Sequence, residues 1–364
     1  MKMAAILPAL QQPPTPLPVR LVHTGQHYDA AMKEAFFQQL GIPEPDDDLG
    51  VGSGSHAVQT ATIMQRFEPI IDRWQPRAVL VVGDVNSTLA CALVASKKGV
   101  PVIHVEAGLR SFDRSMPEEI NRILTDQIAD WLFTTERTAH EHLQREGIPP
   151  ERIHFVGNVM IDTLRRMLPQ VPQAAAVIRK WPGGDRIPIS PSPGRKGAYG
   201  VVTLHRPSNV DHPENLEQLL ICLREVSQQL PLIFPLHPRT AQQMQTAGLL
   251  KQQHHQHILT TPPLGYMDML SLLSQAHLVL TDSGGIQEET TALGVPCLTL
   301  RDNTERPVTV TQGTNTLVGT QPAHILAAVA KIMSEGGKRG RLPELWDGQA
   351  AGRIATILKK HFGP

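Results

Sequence analysis

Apolar residues fall into short unbroken runs that stop at Gly, Asp, His or Glu, and this spacing predicts an α/β chain with parallel strands. The run Ala78 to Val82 is bounded by Gly83-Asp84. A run without polar alternation reads as a strand buried on both faces. A helix-period segment, Ser87 to Lys98, ends at Gly99, and Pro101 to Val105 is a second buried strand that stops at Glu106-Ala107-Gly108. A helix starting near Pro117 precedes a third apolar piece, Trp131 to Phe133, and a strand from Arg152 to Val156 ends in Gly157-Asn158 before a helix from about Val159 to Leu168. Strands alternating with helices in this way require right-handed crossovers and a parallel sheet.

The segment Trp181 to Gly200 breaks the pattern, because it is rich in Pro, Gly and Ser and reads as a solvated loop near a domain boundary. A second series then begins. Gly200 to Leu204 ends in His205-Arg206-Pro207, Leu232 to Leu236 in His237-Pro238, Leu278 to Leu280 in Thr281-Asp282-Ser283-Gly284-Gly285, and Pro296 to Leu300 in Arg301-Asp302. The chain is therefore expected to hold two Rossmann-like halves, residues 1–168 and residues 169–364, with the final helix able to pack back on the first. Two such halves facing one another make a cleft, the default ligand site.

The start fits this grammar poorly. Met1 to Leu10 reads as the middle of an amphipathic helix with no strand before it, whereas a doubly wound domain ordinarily begins with a strand. Val19 to His23 is a short strand, Thr24 to Tyr28 its carboxyl-end loop, and a helix follows from about Ala30 to Leu40. Gly50 to Ser55 resembles a glycine-rich phosphate loop, but it follows no buried strand and reads as a flexible connector.

Composition narrows the function. At 364 residues the chain calls for two cores, and 41% hydrophobic with 19% charged residues describes a globular protein. Lys and Arg number 34, as do Asp and Glu, so nothing in the net charge marks a nucleic-acid or anionic-membrane surface, although a local patch suffices for a small anion. Cys91, Cys222 and Cys297 lie in apolar segments and read as free thiols of a reducing cytosol, so a cytoplasmic location is expected. No apolar run approaches the roughly 18 residues of a membrane span, and the N-terminus has no signal-peptide pattern.

Ligands in open parallel sheets bind beyond the carboxyl ends of the strands. Asp84 and Glu106 fall there, and Glu118 lies in the first turn of the helix that the loop Gly108 to Met116 can fold back over. Converging carboxylates in unequal environments suit proton transfer. Each has a plain alternative: Asp84 as a helix cap, Glu106 paired with Arg110, and Glu118 as part of a Ser115-to-Glu118 capping box. In the second half, Ser283, Gly284 and Gly285 join a buried strand to a helix, a place where backbone amides bind phosphate, and Glu289 stands further along, suited to a ribose hydroxyl pair. The alternative there is that Asp282 or Ser283 merely caps the helix. His205, Arg206 and His237 bring imidazole and guanidinium to the same edge, as a departing diphosphate would require. His254, His255 and His257 sit among Lys and Gln of a solvated face, and no metal site or cofactor is expected.

The strings Gly83-Asp84 with Ser87 to Ala90, His104 to Arg110, Pro117 to Glu119 with Asn121-Arg122, and Asp282 to Gly285 with Gln287 to Glu289 closely resemble the non-hydrolysing UDP-N-acetylglucosamine 2-epimerases. The resemblance runs from Lys2 to about Gly319 and implies a fold like that of B-type glycosyltransferases. It implies UDP held mainly by the C-terminal domain, the sugar in the cleft, and a homodimer that feeds polysaccharide synthesis. The implied reaction interconverts UDP-GlcNAc and UDP-ManNAc without a nicotinamide: UDP leaves by anti elimination as the C2 proton is removed, and re-adds to the 2-acetamidoglucal. The positions matching the family's acids are Asp84, Glu106 and Glu118, with His205 near the phosphates, Ser283 and Gly284 on the diphosphate and Glu289 on the ribose. Relatives acting on a UDP-2,3-diacetamido-uronic acid share much of the sequence. A glycosyltransferase on this fold, or an inactive UDP-sugar-binding relative, is a further alternative.

Two departures from the family stand out. Gln26-His27 matches a regulatory Gln-His pair, but the accompanying arginine is not evident among Gln59-Thr60-Ala61, so activation by substrate is not expected. The family's opening strand and its Gly-Thr-Arg-Pro-Glu turn have no counterpart. Lys2 is the substrate-binding candidate beside that place, with nothing in the sequence to hold it in position. The expectation is a poorly stable, nearly inactive chain with two strands left unpaired, to be restored by an upstream extension.

Overall fold

The computed structural model describes residues 1–25, 37–188, 197–249 and 257–363. The chain divides into two compact units, the first formed by Met1–Arg166 with Glu344–Pro364 and the second by Met167–Pro343. Residues 26–36, which hold Gln26 and His27 and most of the helix expected from Ala30, lie outside the described residues, as do residues 250–256 with His254 and His255.

In the first unit α1 (Lys2–Gln11) precedes a parallel pair, β1 (Val22–His23) and β2 (Asp47–Asp48). There follow α2 (His56–Trp74), β3 (Val79–Val82), α3 (Asn86–Lys97), β4 (Val102–Ala107), α4 (Pro117–Ile128), β5 (Trp131–Thr134), α5 (Arg137–Arg145), β6 (Ile153–Phe155) and α6 (Val159–Met167). Strands β3 to β6 form one parallel sheet in sequence order, which sets their carboxyl ends along a single edge. The unalternating run in β4 is explained by its burial at every position. Val102 packs with Ile63, Phe67 and Leu143 on one face, while Ile103 and Val105 pack with Ile6, Phe133 and Ile354 on the other. The helix Ala350–Phe362 thus covers the same face as α1.

Two readings of this region change. The connector after β2 is held in place: Asp48 Oδ1 accepts from the Gly50 amide at 2.9 Å, and Arg66 Nη1 donates to the carbonyls of Leu49 and Gly50 at 2.6 and 2.8 Å. The strand expected from Val19 contracts to Val22–His23. β1 and β3 belong to different sheets, and a trough with a cavity volume of about 1190 Å³ is lined by Leu17, Val19, Val22, Ile70, Val79 and Val81 among others.

The second unit contains α7 (Ala174–Arg179), β7 (Gly200–Thr203), α8 (Pro207–Val210), α9 (Pro213–Gln229), β8 (Leu232–Pro235), α10 (Pro238–Thr246) and β9 (Ile258–Thr261). It continues through α11 (Tyr266–Gln275), β10 (Leu278–Thr281), α12 (Gly284–Leu293), β11 (Cys297–Thr299), α13 (Pro307–Thr311), β12 (Asn315–Leu317) and α14 (Pro322–Glu335). Its parallel sheet has the order β12-β11-β10-β7-β8-β9. The chain therefore winds outward from β7 in one direction and from β10 in the other. Such a reversal opens a crevice at the carboxyl ends of the two central strands, the ordinary ligand position in doubly wound sheets. No described helix is long and apolar enough to cross a membrane.

Candidate active site

In the first unit the acids gather along the carboxyl edge of β3 and β4. Asp84 follows β3, and Arg122 of α4 donates from Nε to its Oδ2 at 3.0 Å while Asn121 Nδ2 donates to its backbone carbonyl at 2.9 Å. Val85, not Asp84, takes the N-cap position of α3. Arg122 is also ion-paired with buried Glu119. Glu119 ties down the loop before α4: its Oε2 accepts from the amide and hydroxyl of Ser111 at 3.0 Å each, and its Oε1 accepts from the Phe112 amide at 2.9 Å. The loop is thereby folded against the helix that carries Glu118. The half-buried Glu118 makes no hydrogen bond or ion pair among the described residues. The Ser115 capping box does not form, since Met116 holds the N-cap position and Ser115 Oγ donates to Asp113 instead.

Glu106 lies at a register shift in β4 and adopts a left-handed backbone, φ 74°. For a residue with a Cβ that conformation costs on the order of 1–2 kcal/mol, and such strain concentrates at functional positions. The Glu106 side chain is 2% exposed and is ion-paired with Lys2 rather than with Arg110. This corrects the expectation for Lys2: although it stands at the start of α1, Glu106 holds its ammonium over Gly83, where a Cβ on that glycine would come within 2.6 Å of Nζ. Gly83 is thus required both for its φ of 74° and for the approach of the lysine.

In the second unit the crevice between β7 and β10 collects the remaining candidates. Asp282, fully buried after β10, does not cap α12. Its carboxylate accepts from the backbone amides of His205 (3.0 Å) and Arg206 (2.9 Å), from Asn209 Nδ2 (3.2 Å), and faces His205 Nδ1 at 3.0 Å. Burial alone would raise its pKa; His205 and the two amides outweigh burial and hold it below the usual aspartate value. The rings of His205 and His237 lie with centroids 5.3 Å apart. His237 caps α10, its Nδ1 accepting from the Arg239 amide at 3.2 Å.

Ser283 takes the N-cap position of α12 without a side-chain cap, and its own amide donates to Thr281 Oγ1 at 3.0 Å, ahead of Gly284 and Gly285 at the helix start. A Cβ on Gly284 would collide with Glu305 Oε1. Buried Glu305 is bonded to Arg301 Nη2 at 2.9 Å and faces Arg206 Nη2 at 3.5 Å. Burial opposes its ionisation, but Arg306, Arg301 and Arg206 overcome that and drive its carboxyl far below the usual range. Arg206, Arg301 and Arg306 thus gather beside a helix N-terminus, with Arg306 also paired to Glu288 at 2.7 Å, and guanidinium groups at such a place suit a polyanion. Glu289, 4% exposed, lies beside the Tyr266 hydroxyl, and its Oε1 has no hydrogen-bond partner among the described residues. Burial pushes its carboxyl up to about 7, against a smaller opposing pull from Tyr266.

Sequence reasoning gave no supporting role to Glu119, Arg122, His104 and Asp126 in the first unit or to Glu305 in the second, and read Asp282 only as a possible helix cap. Their signal was present, because each is a polar residue inside an otherwise apolar or motif-bearing run.

Two α/β units, each built on a parallel sheet with its candidate residues beyond the carboxyl ends of the strands, give a fold like that of B-type glycosyltransferases. A UDP-glucosyltransferase from Polygonum tinctorium shares that fold at a TM-score of 0.55 and 14% identity, over 98% of this chain and 91% of the other.

Residues 9–359 match the family described as UDP-N-acetylglucosamine 2-epimerase, and the chain belongs to that family. The UDP-N-acetylglucosamine 2-epimerase of Methanocaldococcus jannaschii is 39% identical over 360 residues, 98% of this chain and 95% of that one. The crystal structure of the M. jannaschii enzyme in complex with UDP-GlcNAc and UDP is similar with a TM-score of 0.87 and 38% identity, covering 99% of this chain and 96% of the other. The UDP-2,3-diacetamido-2,3-dideoxy-D-glucuronate 2-epimerase of Pseudomonas aeruginosa is 41% identical over 347 residues, 93% of this chain and 91% of that one.

Proposed function

We propose that this protein interconverts UDP-N-acetylglucosamine and UDP-N-acetylmannosamine. The observation that carries this reading is the set of acids on one edge of the first unit: Asp84 under Arg122, Glu106 against Lys2, and Glu118 without a partner among the described residues. One carboxylate removes the C2 proton as the C1–O bond breaks and UDP departs, giving a 2-acetamidoglucal. A carboxylic acid then returns a proton to the opposite face of C2 as UDP re-adds to C1. Different partners around the acids allow one to be ionised while another is protonated, which this two-faced transfer needs. The second unit holds UDP: the α12 amide turn with Ser283, Gly284, Gly285, His205, Arg206 and His237 for the diphosphate, and Glu289 for the ribose. The reading includes a cytoplasmic homodimer. Free thiols at Cys91, Cys222 and Cys297 support the location, and Ile120 and Leu124, exposed one turn apart on α4, support a contact surface.

Incubation with UDP-GlcNAc in deuterated water tests the reaction. Deuterium at C2 together with UDP-ManNAc is expected; unlabelled UDP-GlcNAc recovered from folded protein would sink the reading. The relative from P. aeruginosa favours a second substrate, a UDP-2,3-diacetamido-uronic acid. A larger kcat/KM for that sugar than for UDP-GlcNAc would replace the first assignment with the second.

Glu289 gives a separate expectation. Its carboxyl titrates near 7 when folded and near 4.5 when unfolded, so the folded state holds the proton more tightly. The associated stability is fully present below the unfolded value and is lost as pH rises through the folded one, about 3 kcal/mol in all. Urea denaturation at pH 5 and pH 8 is expected to show this decline in the wild type and not in Glu289→Gln. Equal declines in both would remove the assignment.

A further inference from the structure

We propose that His104 and Asp126 form a positioning pair that fixes the three reacting acids relative to one another; this rests on the reading of Asp84, Glu106 and Glu118 given above. His104 sits in the middle of β4 and is fully buried. Its Nδ1 lies 2.6 Å from Asp126 Oδ1 and its Nε2 lies 2.8 Å from the Gly83 carbonyl. Asp126, also fully buried on α4, accepts from the Gly108 amide at 3.0 Å and from Arg110 Nη2 at 2.7 Å through Oδ2. Arg110 in turn clamps Glu146 at 2.8 and 2.6 Å.

The network reaches the element that carries each acid. Gly83 immediately precedes Asp84, its φ is 74°, and its carbonyl faces His104 Nε2. Glu106 follows His104 by two residues in the same strand, and Gly108 anchors the far side of the bulge at which Glu106 turns. Glu118 and Asp126 belong to the same helix, separated by little more than two turns, so the position of one fixes the other. Beyond the β3–β4 ladder and the Asn121 and Arg122 contacts to Asp84, the three elements are thereby registered by further directional hydrogen bonds, which tolerate little displacement.

The Asp126 carboxylate is kept ionised by its neighbours. Burial would favour a protonated Asp126, but His104 and Arg110 outweigh it and keep a carboxylate. Carboxylate and Gly83 carbonyl are both acceptors, so each ring nitrogen of His104 faces an acceptor.

The variants are His104→Gln, which can still donate to Gly83 but not to both partners, and Asp126→Asn, which keeps the shape and removes the charge. Each is assayed in deuterated water for kcat, for UDP affinity and for the ratio of C2 deuteration in recovered UDP-GlcNAc to UDP-ManNAc formed, with thermal melting as the measure of folded protein. Misplaced acids are expected to lower kcat about 10- to 100-fold, to leave UDP affinity nearly unchanged, and to shift the exchange ratio, because the two faces of C2 are served by groups displaced unequally. Loss of kcat at an unchanged ratio, wild-type kcat, or failure of both variants to fold each overturns a positioning role. Wild-type protein that neither exchanges nor epimerises would defeat the proposed reaction itself, a result distinct from any of these.

Discussion

Glu106→Gln is expected to lower epimerase turnover about 100- to 10,000-fold, the range for loss of an acid/base group, while UDP affinity stays close to that of the wild type. Asp84→Asn and Glu118→Gln are expected to behave alike. The separation follows from the architecture, because all three acids stand in the first unit whereas the nucleotide-binding candidates stand in the second. The amide variants preserve shape, so the Asp84–Arg122 and Glu106–Lys2 contacts lose charge but not volume. Lys2 keeps 22% exposure, and its ammonium can turn to solvent when Glu106 is neutralised, which limits the loss of stability. Isothermal titration with UDP and a coupled assay of UDP-ManNAc formation give the two readouts. A variant that turns over at the wild-type rate returns its residue to a purely structural role.

What the sequence made legible was set by burial on both faces. Runs such as Val102–Ala107 and Leu278–Thr281 admit no polar alternation of the usual kind because they are buried at every position, and their ends mark where chemistry lies, whereas Val79–Val82, read the same way, is only partly buried. Short strands at sheet margins gave no such signal. Ile258–Thr261 carries two threonines and follows a polar stretch, and Asn315–Leu317 has a single apolar residue, yet both extend the second sheet. Of the site, the acids were visible because they interrupt apolar runs at glycine turns. Their partners were not, because pairing is decided by which elements the fold sets side by side: Arg110 matched Glu106 by proximity in the chain, but Asp126 and Glu146 reach it from α4 and the segment after α5. The hold on Lys2 was likewise invisible, since it depends on β4 turning Glu106 back toward the start of α1.

Asp282→Ala is expected to have the largest effect on stability. The carboxylate is the common acceptor for the His205 and Arg206 amides, the Asn209 side chain and the His205 ring, and it is fully buried. Removing it strands several buried donors at about 1–3 kcal/mol each, although solvent reaches His205 and recovers part of that, so a net loss of about 3–5 kcal/mol is expected. A loss of that size is a large fraction of a domain's 5–15 kcal/mol, roughly, and lowers the melting temperature by on the order of 10 °C. Asp282→Asn keeps one acceptor and loses less. The two variants also differ from the wild type in acid. A carboxyl held below its ordinary pKa of 3.8 stabilises the fold above that value, and the contribution is lost as pH falls through the folded value, so the wild type is expected to weaken more steeply below pH 4 than Asp282→Asn. Because the same carboxylate aims His205 and Arg206 at the switch-point crevice, UDP affinity is expected to fall with stability in Asp282→Ala, in contrast to the acid variants of the first unit. Urea titrations from pH 3 to 7 with parallel UDP binding read both effects; a melting temperature within 2 °C of the wild type, roughly, would show that the amides find other acceptors and that Asp282 does not hold the β7 and β10 ends together.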